Sequence, residues 1–237
     1  MRLASWLLTI CLFGALIQSA VAQESDTVKP VPRDAGWMKR HDSFNERVKK
    51  GSVDLIFIGD SITQAWEGPG KQVWADTYAK RNAVNLGIGG DRTQHVLWRL
   101  ENGNIEGIKP KLAVIMIGTN NSGNNTSEQI AEGITAIVHK LREKLPETKI
   151  LLLGIFPRGV DDEDAKRKVN AGANAIVAKL ADGKMVEYLD IGPKFLDDKH
   201  VLSKDVMPDL LHLTPAAYKI WADSIEEHVS RMMGETK

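Results

Sequence analysis

Five short runs dominated by Val, Ile and Leu, at residues 53–58, 83–86, 112–117, 149–155 and 185–189, constrain this chain more than any other feature. Runs of that length, without polar alternation, suit strands covered on both faces, as in a parallel sheet between layers of helix. Segments with helical spacing lie among or after them, at 126–145, 161–180 and 215–232, as crossover connections require. The pattern predicts an α/β fold, a three-layer α/β/α sandwich with a five-stranded parallel sheet.

That arrangement is flavodoxin-like, and in such sheets ligands bind beyond the carboxyl ends of the strands, near the point where the winding reverses. Residues that carry chemistry should therefore follow strands. What precedes the first run is different in kind. Arg2, an apolar stretch over residues 7–17 and Ala20-Val21-Ala22 have the form of a signal peptide, residues 1–22, with the mature chain starting at Gln23 and exported to the periplasm or the medium. Residues 23–36 are polar, contain Pro30 and Pro32, and read as a flexible lead-in; residues 37–233 then form one domain without a linker.

Cys11, the single cysteine, falls in the leader, so a mature chain has no thiol nucleophile, no cysteine-ligated metal and no disulfide. Thirty-one basic residues balance thirty-one acidic ones, which argues against a nucleic-acid partner or an electrostatically held membrane. No later apolar run is long enough to span a bilayer.

Three constellations follow strands, and a fourth stands near the C-terminus. After the first run comes Gly59-Asp60-Ser61-Ile62-Thr63, which puts a serine at a strand exit where a helix would begin, although Asp and Ser are also ordinary helix caps. After the second comes Asn85-Leu86-Gly87-Ile88-Gly89-Gly90-Asp91-Arg92-Thr93, whose glycines let backbone N–H groups approach a substrate; the spacing is not that of a dinucleotide-binding loop. After the third comes Gly118-Thr119-Asn120-Asn121, where an asparagine amide can donate to a developing oxyanion, or simply serve a polar turn. Near the C-terminus, Asp209-Leu210-Leu211-His212-Leu213-Thr214-Pro215 places a histidine just before a helix capped by Thr214, with an aspartate three residues upstream. A metal half-site would have the same spacing, but no second ligand cluster accompanies it.

Taken together, these four blocks resemble the SGNH or GDSL hydrolases, whose motifs centre on Ser, Gly, Asn and His, here Ser61, Gly90, Asn120 and His212. Within that family the chain is similar to the catalytic α-subunits of intracellular platelet-activating-factor acetylhydrolase and their exported bacterial relatives, through the whole stretch 85–121, Leu153-Gly154-Ile155-Phe156-Pro157-Arg158-Gly159, and residues 209–214. The resemblance covers roughly residues 37–228. It implies a serine esterase with Ser61 as nucleophile, His212 as general base and Asp209 orienting it. It further implies oxyanion donors at the backbone N–H of Ser61 and Gly90 and the side chain of Asn120. Ile62, Thr119 and Leu211 fall where the family walls a small acyl pocket, although Ile62-Thr63 departs from the pair that follows the serine in those subunits. No metal or other cofactor is implied.

The export leader turns the expectation toward acetyl esters of carbohydrate, with a lysophospholipase or a lipid esterase like the acetylhydrolases as the alternative, and a non-catalytic carbohydrate-binding protein on the same scaffold as the remote one. A homodimer is left open. Asp161-Asp162-Glu163-Asp164 before Lys166-Arg167-Lys168 reads as a helix start with i,i+4 pairs. Arg158 either borders the site or makes a surface salt bridge. His41, His95, His139, His200 and His228 have no adjacent partner set in the sequence.

Overall fold

The computed structural model describes residues 25–235; the expected leader and Cys11 lie outside them. Five strands, β1 (Leu55–Gly59), β2 (Ala83–Gly87), β3 (Leu112–Met116), β4 (Lys149–Leu153) and β5 (Val186–Leu189), form one sheet in the order β2-β1-β3-β4-β5. Every neighbouring pair is parallel. The helices are α1 (Ala35–Lys49), α2 (Ser61–Gln64), α3 (Lys71–Thr77), α4 (Thr93–Glu101), α5 (Ser127–Lys144), α6 (Ala165–Val177) and α7 (Pro215–Met233). The winding reverses between β1 and β3, and the loops leaving those two strands define the crevice.

Alternate strand residues divide the core in two. Ile56, Ile58, Leu86, Ala113, Ile115, Ile150 and Leu152 face one layer, against Phe44 of α1, Leu97 of α4, Ile134 of α5 and Val177 of α6. Leu55, Phe57, Leu112, Val114, Met116, Leu151 and Leu153 face the other, against Trp66, Tyr78 and the apolar stripe Tyr218, Trp221, Ile225 and Val229 of α7. That second layer is strongly aromatic: Trp66 lies 4.5 Å from Tyr218 and 4.9 Å from Trp221 between ring centroids, and Phe57 lies 4.8 Å from Tyr78. Such pairs add to the hydrophobic term, which carries most of the stability.

Helix boundaries follow local chemistry. Thr126 accepts from the Gln129 N–H while the Gln129 side chain accepts from the Thr126 N–H, closing a capping box that starts α5. Thr214 caps α7 ahead of Pro215, as the sequence predicts. Helix α6 is shorter than the spacing over 161–180 suggests: Asp164, not Asp161, is the cap, and the three acids before it form a turn. Arg167 is accordingly not half of a solvated helix pair. It is buried, and its guanidinium donates to the carbonyls of Arg158, Gly159 and His200.

The segment expected to be a flexible lead-in is docked from Ser25 onward. Thr27 is buried, its hydroxyl donates to the Gln129 carbonyl at 2.7 Å, and its own carbonyl accepts from the Thr93 hydroxyl at 2.8 Å. Asp34 then caps α1 by accepting from the Trp37 N–H at 3.1 Å. Short polar side chains such as these bind backbone groups instead of forming an apolar stripe, and so leave no periodicity to read. Among the described residues no helix is long and apolar enough to cross a membrane.

The aromatic layer makes a testable contrast. The Tyr78 hydroxyl is buried and meets no hydrogen-bond partner among the described residues, so Tyr78→Phe should leave the melting temperature unchanged or raise it. Trp221→Ala, in contrast, opens a cavity at the centre of the same layer and should cost about 3–5 kcal/mol in denaturant titration.

Candidate active site

Ser61 reaches the crevice because β1 ends in a glycine. A Cβ at Gly59 would overlap both the Met116 carbonyl of the neighbouring strand and the Thr63 side chain, so only glycine lets the chain turn so closely under β3. Asp60 then caps α2 by accepting from the Ile62 N–H at 3.0 Å, and Ser61 occupies the first helical position, where its own N–H has no intrahelical acceptor.

His212 arrives from the opposite end of the sequence. Its Nε2 lies 2.9 Å from Ser61 Oγ, and its Nδ1 lies 2.6 Å from Asp209 Oδ2. Asp209 Oδ1 also accepts from the N–H groups of Leu211 and His212, at 3.1 and 2.8 Å. Burial alone would push the Asp209 carboxyl up, but the hydrogen bonds from the His212 ring and N–H outweigh it and hold the carboxyl below its ordinary value. The turn that brings the two side chains together places Leu210 in the left-handed region, φ 59°, held by the Met207 carbonyl on its N–H and by the Gly159 N–H on its carbonyl. A hydroxyl, an imidazole and a carboxylate in such a chain can move a proton off the hydroxyl and stabilise the resulting imidazolium.

Gly90 and Asn120 lie in the loops after β2 and β3, at the same end of the sheet as Ser61. Gly90 has φ 76°, open to glycine and strained for other residues. Asn120 donates through Nδ2 to the Asp91 carbonyl at 2.9 Å, which fixes its amide plane and leaves its second N–H to donate elsewhere. Over residues 57–220 the chain matches the GDSL-like Lipase/Acylhydrolase family. It belongs to that family.

The GDSL hydrolase is 36% identical over 219 residues to the chicken platelet-activating factor acetylhydrolase IB subunit alpha2, a match covering 92% of this chain and 93% of the relative. Its fold is similar to that of a GDSL-like lipase from Bacteroides thetaiotaomicron, with a TM-score of 0.65 and 20% identity over 81% of this chain and 97% of that one. A second similar fold is that of an acetylxylan esterase from Geobacillus stearothermophilus, with a TM-score of 0.60 and 18% identity over 78% and 96% of the two chains. As a GDSL acylhydrolase the protein is a carboxylic ester hydrolase.

The residues expected to wall an acyl pocket are placed unequally. Leu211 is half-buried beside His212. Ile62 is 1% exposed and packs with Trp66, its carbonyl accepting from the Tyr218 hydroxyl at 2.6 Å; Thr119 is 2% exposed, with its hydroxyl engaged by Arg158 and Asn170. Both form the backing of the crevice and not its lining. Arg158 reaches the Thr119 carbonyl at 3.3 Å, so it borders the site. Three residues that no motif pointed to complete the geometry: Gln64, whose side chain accepts from the Gly89 N–H at 2.7 Å; Arg33, which donates to the Gly89 carbonyl at 2.8 Å; and Arg99, which is fully buried against Asp91. Gln64 lies one helical turn beyond Ser61, the only hint the sequence offers. Of the other histidines, His200 does have a partner, Asp162 at 2.9 Å, and His228 has Glu187 at 3.1 Å. Among the described residues no group of three or more His, Cys, Asp or Glu side chains is arranged to hold a metal ion.

Asp60 titrates far from its ordinary range. Burial pushes its carboxyl up to about 7 against the pull of the Ile62 N–H, with the Asp91 carboxylate adding to the rise, and Oδ2 meets no partner among the described residues. The folded chain therefore holds this proton more tightly than the unfolded chain does, so its contribution to stability is complete below the ordinary value of 3.8 and is lost as the pH rises through about 7. Asp60→Asn keeps an oxygen to cap Ile62. It should melt close to the parent near pH 4 and above the parent at pH 8; identical shifts at both would show that the carboxylate is not destabilising.

Proposed function

We propose that the protein hydrolyses short acyl esters, acetyl above all, through an acyl-enzyme on Ser61. The observation that carries this reading is the hydrogen-bonded chain from Ser61 through His212 to Asp209, 2.9 and 2.6 Å long. A serine hydroxyl is a weak nucleophile at neutral pH, so His212 takes its proton as Oγ attacks the ester carbonyl, and Asp209 holds the ring in the tautomer that leaves Nε2 free to accept. The negative charge then sits on the former carbonyl oxygen, and in this reading the N–H groups of Ser61 and Gly90 and the amide of Asn120 donate to it. Each such donor is typically worth ~3–4 kcal/mol in the transition state. His212 returns the proton to the leaving alkoxide, and water repeats the sequence to release the acid.

Several features support the short acyl group and an acetylated carbohydrate as its carrier. A cavity of about 410 Å³ opens over the ends of β4 and β5, and several polar groups that can hydrogen-bond sugar hydroxyls line it, among them Asp162, Asn170, Asp190 and His200. Asn170 connects this cavity to the site through its hydrogen bond to Thr119. The names of relatives point the same way on the acyl group, an acetylhydrolase in chicken and an acetylxylan esterase in Geobacillus stearothermophilus. Export by the leader at residues 1–22 belongs to this reading, since it would bring the enzyme to such esters outside the cell. The first of those relatives also favours a second reading, platelet-activating factor or a similar lipid ester as substrate.

Acetate release from acetylated xylan, acetylated sialic acid, acetylated amino sugars and platelet-activating factor separates the two substrates, beside 4-nitrophenyl esters of rising chain length. Activity should fall steeply beyond the shortest acyl chains. Ser61→Ala should lose about 10⁴-fold or more in kcat, and should lose labelling by a fluorophosphonate; turnover equal to the parent would remove Ser61 from the reaction.

A further inference from the structure

We infer that Arg33, carried in by the N-terminal segment, is a positioning residue that aims the Gly90 N–H at the reacting oxygen. The inference rests on the serine-hydrolase reading above. It concerns one peptide unit, the bond between Gly89 and Gly90. In a trans peptide the carbonyl and the N–H point in opposite directions, so whatever holds the Gly89 oxygen also sets where the Gly90 N–H points. Arg33 Nη1 donates to that oxygen at 2.8 Å.

A peptide flanked by glycine on both sides has little steric resistance to turning over, and Gly90 already occupies a positive φ, at 76°. Turned over, it would present a carbonyl oxygen, the wrong partial charge, to the developing oxyanion. Two anchors oppose that rotation. Gln64 fixes the preceding peptide by accepting from the Gly89 N–H at 2.7 Å, and Arg33 fixes the Gly89 carbonyl from the other side. The guanidinium lies along the backbone of Gly90, where a Cβ would come within 3.2 Å of both its terminal nitrogens. A charged donor on the carbonyl also polarises the peptide and makes the attached N–H a stronger donor.

A purely structural role, pairing with Asp91, accounts for less of this geometry. Asp91 already accepts from Trp37 Nε1 at 2.6 Å and from Arg99 Nε at 2.9 Å, and its contact with Arg33 Nη1 is the longest of the three, at 3.3 Å. The arm that carries Arg33 is itself fastened over α4 and α5: Thr27 bonds to Gln129 and Thr93, and the Val31 N–H meets the Gln94 carbonyl. Gly133 in α5 leaves room for it, since a Cβ there would stand 2.9 Å from the Thr27 carbonyl. The arm thus delivers one cation to one peptide.

Arg33→Met, made in the full chain, should keep its fold, because Asp91 retains Arg99 and Trp37. With 4-nitrophenyl acetate its kcat should fall by about 10- to 100-fold while KM stays within about two-fold of the parent. Guanidinium ion at concentrations too low to unfold the protein should restore part of the kcat of Arg33→Ala and leave the parent unchanged. If the Met variant loses its near-ultraviolet circular dichroism, Arg33→Lys decides, since it keeps the charge and loses the planar fork; a lower kcat at unchanged KM supports the inference. An unaltered kcat, a loss confined to KM, or an absence of guanidinium rescue overturns it. Ser61→Ala as active as the parent would instead overturn the hydrolase reading itself, and the two failures are distinguishable.

Discussion

The buried ion pair between Arg99 and Asp91 is the contact on which the rest of the site depends. Arg99 is fully buried and donates through Nε to Asp91 at 2.9 Å and through Nη1 to the Leu86 carbonyl and the Asn104 side chain, both at 2.9 Å. One guanidinium therefore joins the end of β2 to the loop that carries Gly90. Asp91 extends the joint with its main chain, whose carbonyl accepts from Asn120 beyond β3. A buried pair of this kind is tolerable because its donors and acceptors are met; removing Asp91 would leave the Arg99 charge without a carboxylate in the core, at about 3–5 kcal/mol. Its benefit is geometric more than energetic, since it sets the relative positions of loops that must converge within a few ångströms.

Convergence of that sort follows from the parallel sheet. All five strands point their carboxyl ends the same way, so the loops after β1, β2 and β3 emerge side by side with no further arrangement. The reversal of winding between β1 and β3 opens the crevice between them. His212 is the exception, because it follows no strand; it is set by the cap of α7 and by the strained turn at Leu210. Strain at a residue beside the reacting groups is consistent with a turn selected for where it points His212 and not for its own stability.

The fold and the central residues were legible because each left a local signature. Strands buried on both faces appear as uninterrupted runs of Val, Ile and Leu, and Ser61, Gly90, Asn120, Asp209 and His212 each sit in a compact motif. The N-terminal arm was not legible: Thr27 and Asp34 act through hydrogen bonds to distant or capped backbone, which no periodicity records. Arg167 was misread for a related reason, since an arginine in a charged run looks solvated until the carbonyls it serves are seen around it. Ile62 and Thr119 occupy the motif positions expected of pocket walls, yet whether a side chain lines a crevice or backs it is decided by packing against Tyr218, Arg158 and Asn170.

By itself, then, the sequence determined the five strands, three of the seven helices, the family, and the candidate groups for ester hydrolysis. It did so because those properties are encoded by neighbours in the chain: periodicity, caps and short motifs. Only the tertiary structure decided that Ser61 and His212, 151 residues apart, stand within hydrogen-bonding distance, and that Arg33 holds a peptide 56 residues away. Contacts at such separations depend on the sum of all intervening packing, and no local feature of the chain records them.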